Sequence, residues 1–242
     1  MMILKEQKIL VVVAHPDDEL LGIGGAINYL VHENKCQVHV VILGEGITSR
    51  SLERNTNDWV KELEEHKSNI LDAKKFIGYQ TLSTFDLPDN RFDLIPLLDI
   101  IKIIEEEKVK FQPDIVFTHH GGDLNIDHQR TFEATMTACR PMEDESVNTI
   151  ITFETPSGTE WRASSDPRHF VPNFFVELQL KHLQSKINAM ECYAYEKRSF
   201  PHPRSSEGLR ILAEYRGISV GKRYAEAFQV IRHIVKTINY DM

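Results

Sequence analysis

The chain has 242 residues, 41% hydrophobic and 26% charged, and a formal net charge of −8, which fits one globular domain over 1–242 with a full core. Its acidic balance argues against a nucleic-acid partner or an anionic membrane surface, both of which reward clustered Lys and Arg. No run approaches the roughly 18 apolar residues of a membrane span, and three widely spaced cysteines fit a reducing, cytoplasmic setting rather than a disulfide framework.

The β-branched run "KILVVVA" (8–14) predicts a strand buried on both faces. It is too short for the apolar core of a signal peptide and ends in charge. Helical spacing follows in "GIGGAINYLVHEN" (22–34), then a second buried strand in "CQVHVVIL" (36–43). Residues 57–78 read as a long amphipathic helix stopped at Gly78. A short strand at 81–85, the loop "DLPDNRFD" (86–93), a helix at 95–109, a strand at 113–120, a helix at 128–140 and a strand at 149–154 continue the alternation. Such alternation predicts an α/β class, a Rossmann-like three-layer domain with a mostly parallel sheet. Residues 155–173 carry no period and are rich in Pro, Ser and Asp, which predicts an active-site loop. The C-terminal part, expected to complete the pocket, reads as a strand at 174–178, a helix near 179–196, "SFPHPRSSEG" (199–208), a helix near 206–216 and a last strand near 225–231.

Catalytic groups in open α/β sheets gather at the carboxyl ends of the strands. The first strand here runs into "HPDDEL" and another into "THHGGDLNIDH" (118–128). A dinucleotide loop is the first reading to weigh, since Gly22 and Gly24 open a helix after a strand. The third glycine position holds Ile27, however, and Asp17, Asp18 and Glu19 would repel a pyrophosphate at the helix start. Simple helix capping accounts for one acid, worth about 0.3–1 kcal/mol, but not for three acids beside His15. A cation accounts for them better. His15 and Asp18, three residues apart across a tight turn, form a ligand set that zinc accepts, and His128 is the candidate third ligand, with Asp127 beside it. Isolated histidines such as His39 and His66 read as structural, and the "EEEKVK" run (105–110) as a solvated helix face. Arg50, Arg54, Arg91 and Arg204 fall in non-periodic segments and could together hold an anionic group. Trp161 offers a flat face to a sugar, and "DNR" (89–91), which follows a strand, is expected on the pocket rim.

"AHPDDE" paired with "THHGGDLNIDHQRT" resembles the PIG-L/LmbE-like family of zinc-dependent de-N-acetylases, and the likeness runs on through "GEGITSR", "FETPSGTEW", "VPNFFVEL" and "PHPRSSEGL". The resemblance implies Zn2+ or another divalent transition metal on His15, Asp18 and His128, with Asp17 as general base. It implies removal of the acetyl group from an N-acetylated amino sugar, as part of a glycoconjugate, nucleotide sugar or precursor. Many bacterial members read H-P-D-H where this chain has Asn125 to His128, so Asn125 replaces a histidine linked to oxyanion stabilisation. His119, His120 or His202 are the candidates to take over that role. Arg50, Arg91, Trp161 and Arg204 are the expected substrate contacts, and a homo-oligomer is an option by analogy with bacterial relatives. The competing readings are an amidase for a non-sugar or thiol-conjugate substrate and an inactive metal-containing sugar-binding protein.

Overall fold

A computed structural model of the chain describes residues 4–235. The first apolar run becomes β1 (Lys8–Val13). Its side chains alternate, so that Ile9, Val11 and Val13 enter one apolar cluster while Leu10 and Val12 enter another. All five are fully buried, each contributing about 1.5–3 kcal/mol of transfer free energy. β2 (Gln37–Gly44) and β3 (Thr81–Leu87) extend the sheet on one side of β1, and β4 (Ile115–His119) and β5 (Thr149–Phe153) on the other, all in parallel. β6 (Phe174–Glu177) and β7 (Ala225–His233) close the far edge, with β7 antiparallel to β5 and β6 antiparallel to β7. The strand order is β3-β2-β1-β4-β5-β7-β6, the mostly parallel sheet that the alternation predicts.

Helices α1 (Asp18–His32) and α2 (Val60–Ile77) cover the Ile9 face, and α3 (Leu97–Phe111) and α4 (Ile126–Ala138) cover the Leu10 face. α5 (Leu180–Glu191) and α6 (Ser206–Ile218) return to the Ile9 face. After β1 the chain leaves towards β2, and after β4 it leaves towards β5. The crevice at the carboxyl ends of β1 and β4 is therefore the topological switch point, where α/β sheets bind ligands.

Several elements differ from the sequence expectation for identifiable reasons. α1 begins before the periodic run, because the Asp17 carbonyl already accepts from the N–H groups of Leu20 and Leu21, both at 2.9 Å. Residues 57–78 divide into a 3-10 turn, Thr56–Trp59, and α2. The helix expected to reach 196 stops at Glu191, and the N–H groups of Glu196 and Lys197 both close on the Tyr193 carbonyl at 3.0 Å. The 105–110 run is not simply a solvated face: Glu107 is buried, accepts from Ser83 Oγ at 2.7 Å and meets His39 Nε2 at 3.0 Å. The 155–173 segment holds one 3-10 turn, Thr159–Trp161.

Two features seat α1 on the sheet. A Cβ at Gly22 would lie 2.2 Å from the Phe153 ring, and one at Gly25 would lie 2.6 Å from Leu178, so glycine permits the close approach. A buried ion pair, Lys186 with Glu226, also grips the helix. Glu226 accepts from the N–H groups of Gly25 at 3.1 Å and Ala26 at 2.7 Å, while Lys186 Nζ donates to the Leu21 carbonyl at 2.9 Å and to Glu226 at 2.6 Å.

Candidate active site

His15 and Pro16 lead from β1 into Asp17, the N-cap of α1. Asp17 has φ 96 and ψ −25, a left-handed conformation uncommon for a non-glycine residue and unlike the extended N-cap norm. Its side chain makes no capping bond. The consequence is that two adjacent carboxylates diverge. Asp18 turns inward: its Oδ2 accepts from the His15 N–H at 2.8 Å and lies 3.4 Å from His15 Nδ1 and 3.3 Å from His128 Nε2. Asp17 turns outward, and its Oδ2 accepts from Arg204 Nη1 at 2.9 Å.

His128 reaches Asp18 because Asn125 caps α4, accepting from the Asp127 N–H at 2.8 Å, which places His128 in the first turn below the end of β4. One ligand atom each from His15, Asp18 and His128 lies within 4.8 Å of the others, and all three residues are buried. Each imidazole is backed by a carboxylate on its far nitrogen. His15 Nε2 meets Asp127 at 2.9 Å and Asp89 at 3.3 Å, and His128 Nδ1 lies at ion-pair distance, 3.1 Å, from Asp123. Such partners aim the near nitrogens at a common point and raise their basicity. Among the described residues, Asp18 Oδ1 is buried without a hydrogen-bond partner, an arrangement that costs about 1–3 kcal/mol and that a cation relieves. Two imidazoles and a carboxylate fit a divalent transition metal.

The titration behaviour follows from the same contacts. Burial opposes protonation of His128, but Asp18 and Asp123 outweigh it and carry the ring up to about 9. Burial likewise opposes the charge on His15, and Asp127, Asp18 and Asp89 raise it well above its ordinary value. Asp18 is held well below the carboxylate range, despite burial, by His128 and His119. Burial pushes Asp17 well above that range, against the pull of Arg204.

His119, a sequence candidate for oxyanion stabilisation, is fully buried with both ring nitrogens engaged. Its Nε2 accepts from the Ala14 N–H at 3.0 Å, so its Nδ1 carries the proton towards Thr155 Oγ1, 3.1 Å away. Burial lowers it to about 4, and the neutral ring stacks on His128 with centroids 3.9 Å apart.

A cleft of about 270 Å³ opens over this cluster, lined by His15, Asp17, Ser49, Arg50, Asp89 and Asn90 among others, and also by Asn125, Trp161, His202 and Arg204. Of the expected substrate contacts Arg91 stands outside that lining, and of the candidate catalytic groups so does His120. His120 Nε2 lies 2.8 Å from the Arg168 carbonyl and its ring packs on Phe170. Arg54 is also diverted, forking onto Glu45 at 2.9 and 3.1 Å. Arg50 lines the cleft, bonded to Glu196 and, at 3.1 Å, to the Tyr195 carbonyl. Arg204 joins Asp17 to Glu196 at 3.1 Å and to Ser157 Oγ at 2.6 Å. His202 Nδ1 accepts from the Arg204 N–H at 3.2 Å, which leaves its proton on Nε2. Burial, with Arg204 and Arg198 nearby, lowers its pKa.

Asp89 and Asn90 of the "DNR" stretch expected at the pocket rim do line the cleft, whereas Asp123 and Glu196 were not singled out from sequence. Of these two, only Asp123 had a usable signal, being an acid within reach of a candidate histidine ligand on the same loop.

The family model for PIG-L, GlcNAc-PI de-N-acetylase, matches residues 10–139. That is more than half of the chain. The chain belongs to the PIG-L family. This PIG-L protein is 27% identical over 192 residues to the uncharacterized deacetylase YaiS of Escherichia coli K12, covering 77% of this chain and 90% of YaiS. Its fold is similar to that of N,N'-diacetylchitobiose deacetylase from Pyrococcus horikoshii, with TM-score 0.72, 18% identity, and coverage of 93% of this chain and 84% of that one. It is equally similar to GalB, the 4-carboxy-2-hydroxymuconate hydratase of Pseudomonas putida KT2440, with TM-score 0.73, 21% identity and 96% and 99% coverage. The PIG-L match includes His15, Asp17, Asp18, Asn125 and His128, whereas Trp161, His202 and Arg204 lie beyond it. No helix among the described residues is long and apolar enough to cross a membrane.

Proposed function

We propose that this PIG-L protein is a zinc-dependent hydrolase that removes the N-acetyl group from an N-acetylated amino sugar. The observation that carries the proposal is the divergence of Asp17 and Asp18. One carboxylate joins two imidazoles in an inward-facing ligand set, and its neighbour faces the cleft, where a base must stand. A protein that only bound metal and sugar would have no use for the second. The lining favours a sugar over a largely apolar amide: Ser49, Asp89, Asn90 and Asn125 match hydroxyls, and Trp161, 52% exposed, offers a stacking face.

His15, Asp18 and His128 would hold the metal, which when bound supplies Lewis acidity towards the acyl oxygen and towards water. Asp17 takes the proton of the attacking water and returns it to the leaving amine. Arg204, 2.9 Å from Asp17 Oδ2, orients that carboxylate. Asn125 Oδ1 is committed to the α4 cap, so its Nδ2, which also donates to Asn90 at 3.1 Å, faces the cleft as a donor. The His202 Nε2–H is a second donor, and between them they replace the missing family histidine at the developing negative charge. Arg50 and Trp161 contact the rest of the sugar unit.

The test is acetate release across N-acetylglucosamine derivatives, nucleotide sugars and non-sugar N-acetyl amides, before and after chelation and with zinc added back. Asp17→Asn is expected to keep its metal and lose about 10²–10⁴ in turnover, and His128→Ala to lose the metal. Turnover by Asp17→Asn at the wild-type rate, or a rate indifferent to chelation, overturns the assignment. Preferred hydrolysis of non-sugar amides favours the amidase reading instead.

A further inference from the structure

Glu19, the third acid of the motif, is fully buried and is not part of the ligand set. Its Oε2 accepts from the N–H of Asp17 at 3.0 Å, and its Oε1 accepts from Tyr193 Oη at 2.9 Å. The Asp17 N–H therefore has its partner two residues further along, and that bond closes a small ring around the left-handed residue. A residue at φ 96 without such support has an easy alternative, since N-cap residues prefer extended backbone. Relaxation in that direction would swing the Asp17 side chain away from Arg204.

Tyr193 supplies the second half of the device. It lies in the turn after α5 and packs edge-on against His66, with centroids 5.6 Å apart. The same turn carries Glu196, whose Oε2 accepts from the Arg204 Nη1 that also donates to Asp17. One turn thus grips Asp17 twice, through Tyr193 and Glu19 on the backbone and through Glu196 and Arg204 on the carboxylate.

We propose that Glu19 and Tyr193 are positioning residues that hold Asp17 in its left-handed conformation and so aim its carboxylate into the cleft. This rests on the reading of Asp17 as the base, but its geometric part can be tested without activity. Glutamine suits Glu19, because its carbonyl can accept from the Asp17 N–H while its amide donates to the Tyr193 oxygen. Leucine offers neither bond.

Crystal structures and kinetics of Glu19→Gln, Glu19→Leu and Tyr193→Phe are the experiment, with metal content measured for each. In Glu19→Leu, Asp17 is expected to leave positive φ and part from Arg204. Its kcat should fall about 10²-fold, with KM and metal content unchanged. Glu19→Gln should restore kcat to within about threefold of wild type, and Tyr193→Phe should lose about tenfold. Should Glu19→Leu not fold, Tyr193→Phe carries the test, since it keeps the ring and removes only the hydroxyl. An unmoved Asp17 in whichever of these two variants folds overturns the proposal whatever the activity. So do equal losses in Glu19→Gln and Glu19→Leu, because they point to proton transfer by the Glu19 carboxyl. A displaced Asp17 in a protein that releases no acetate even as wild type supports the positioning role and overturns only the proposed reaction.

Discussion

Replacing Lys186 by methionine tests how α1 is anchored beneath the site. Lys186 and Glu226 are each 6% exposed at the side chain, with Nζ 2.6 Å from Oε1. Removing one partner of such a pair strands the other charge, which costs about 3–5 kcal/mol. Glu226 would keep two backbone donors, from Gly25 and Ala26, so the low end, about 3 kcal/mol, is expected. For a chain of this length that is a fall in Tm of about 6–12 °C. Adding Glu226→Gln removes the stranded charge, and the double variant should cost only about 1–2 kcal/mol relative to wild type. Urea unfolding followed by circular dichroism, with all four members of the cycle, gives the coupling directly. A Lys186→Met loss below about 1 kcal/mol, or a double variant as unstable as the sum of the singles, would refute the reasoning.

His66 is buried, and among the described residues neither of its ring nitrogens has a partner. Burial, with Arg50 nearby, lowers it from 6.5 to about 4. An unfolded chain takes up this proton below 6.5 and the folded one only near 4. This group's contribution is therefore full above 6.5 and falls as pH drops through that window, by about 3 kcal/mol. The His66→Phe variant should flatten the wild-type stability profile between those values, and an unchanged slope would show that His66 is not its source. Gly22→Ala would place a methyl group 2.2 Å from the Phe153 ring. Overpacking of about 1–3 kcal/mol outweighs a helix-propensity gain of about 1 kcal/mol, so a net loss is expected in thermal melts. A rise in Tm, as at an ordinary helical glycine, would mean that the helix and sheet are not in close contact there.

Most of the sheet was legible because parallel strands buried on both faces advertise themselves as unbroken runs such as "ILVVV" and "VHVVIL". His15 and Asp18 were legible as a pair because short spacing after a strand end limits where those side chains can go, while His128 rested on its place near another strand end and chiefly on the family resemblance. What lay hidden depends on contacts distant in sequence. Asp89 lies in the "DNR" stretch expected at the rim, but nothing local announces that it reaches His15 from the loop after β3. Glu107 sits in a charged run whose other members are half-buried or exposed, and only the pairing of His39 beside it reveals an inward face. His120 adjoins His119 but lies just past the end of β4, and its ring meets the Arg168 carbonyl while that of His119 meets Thr155. Helix ends were least legible: α1 starts with a motif too polar to look helical, and Tyr193 ends the α5 region through a turn that no glycine or proline announces.

A scaffold shared by a deacetylase and a hydratase does not choose its own chemistry, so the choice must lie in local geometry, and "DDE" shows how. Two unit charges 4 Å apart near a protein surface repel by about 4 kcal/mol. Three consecutive acids on a regular helix start would meet that cost with little relief from one helix dipole. The left-handed residue at Asp17 removes the problem by sending each carboxylate to a different partner. Asp17 meets Arg204, Asp18 meets two imidazoles, and Glu19 meets the Asp17 N–H and a tyrosine hydroxyl. The same rotation that separates the charges also separates the proposed base from the proposed metal ligand. Any substitution that lets Asp17 relax is therefore expected to return the repulsion and remove the proposed division of labour together, which is the reason to group Glu19 with the proposed chemistry although it touches none of the proposed reacting atoms.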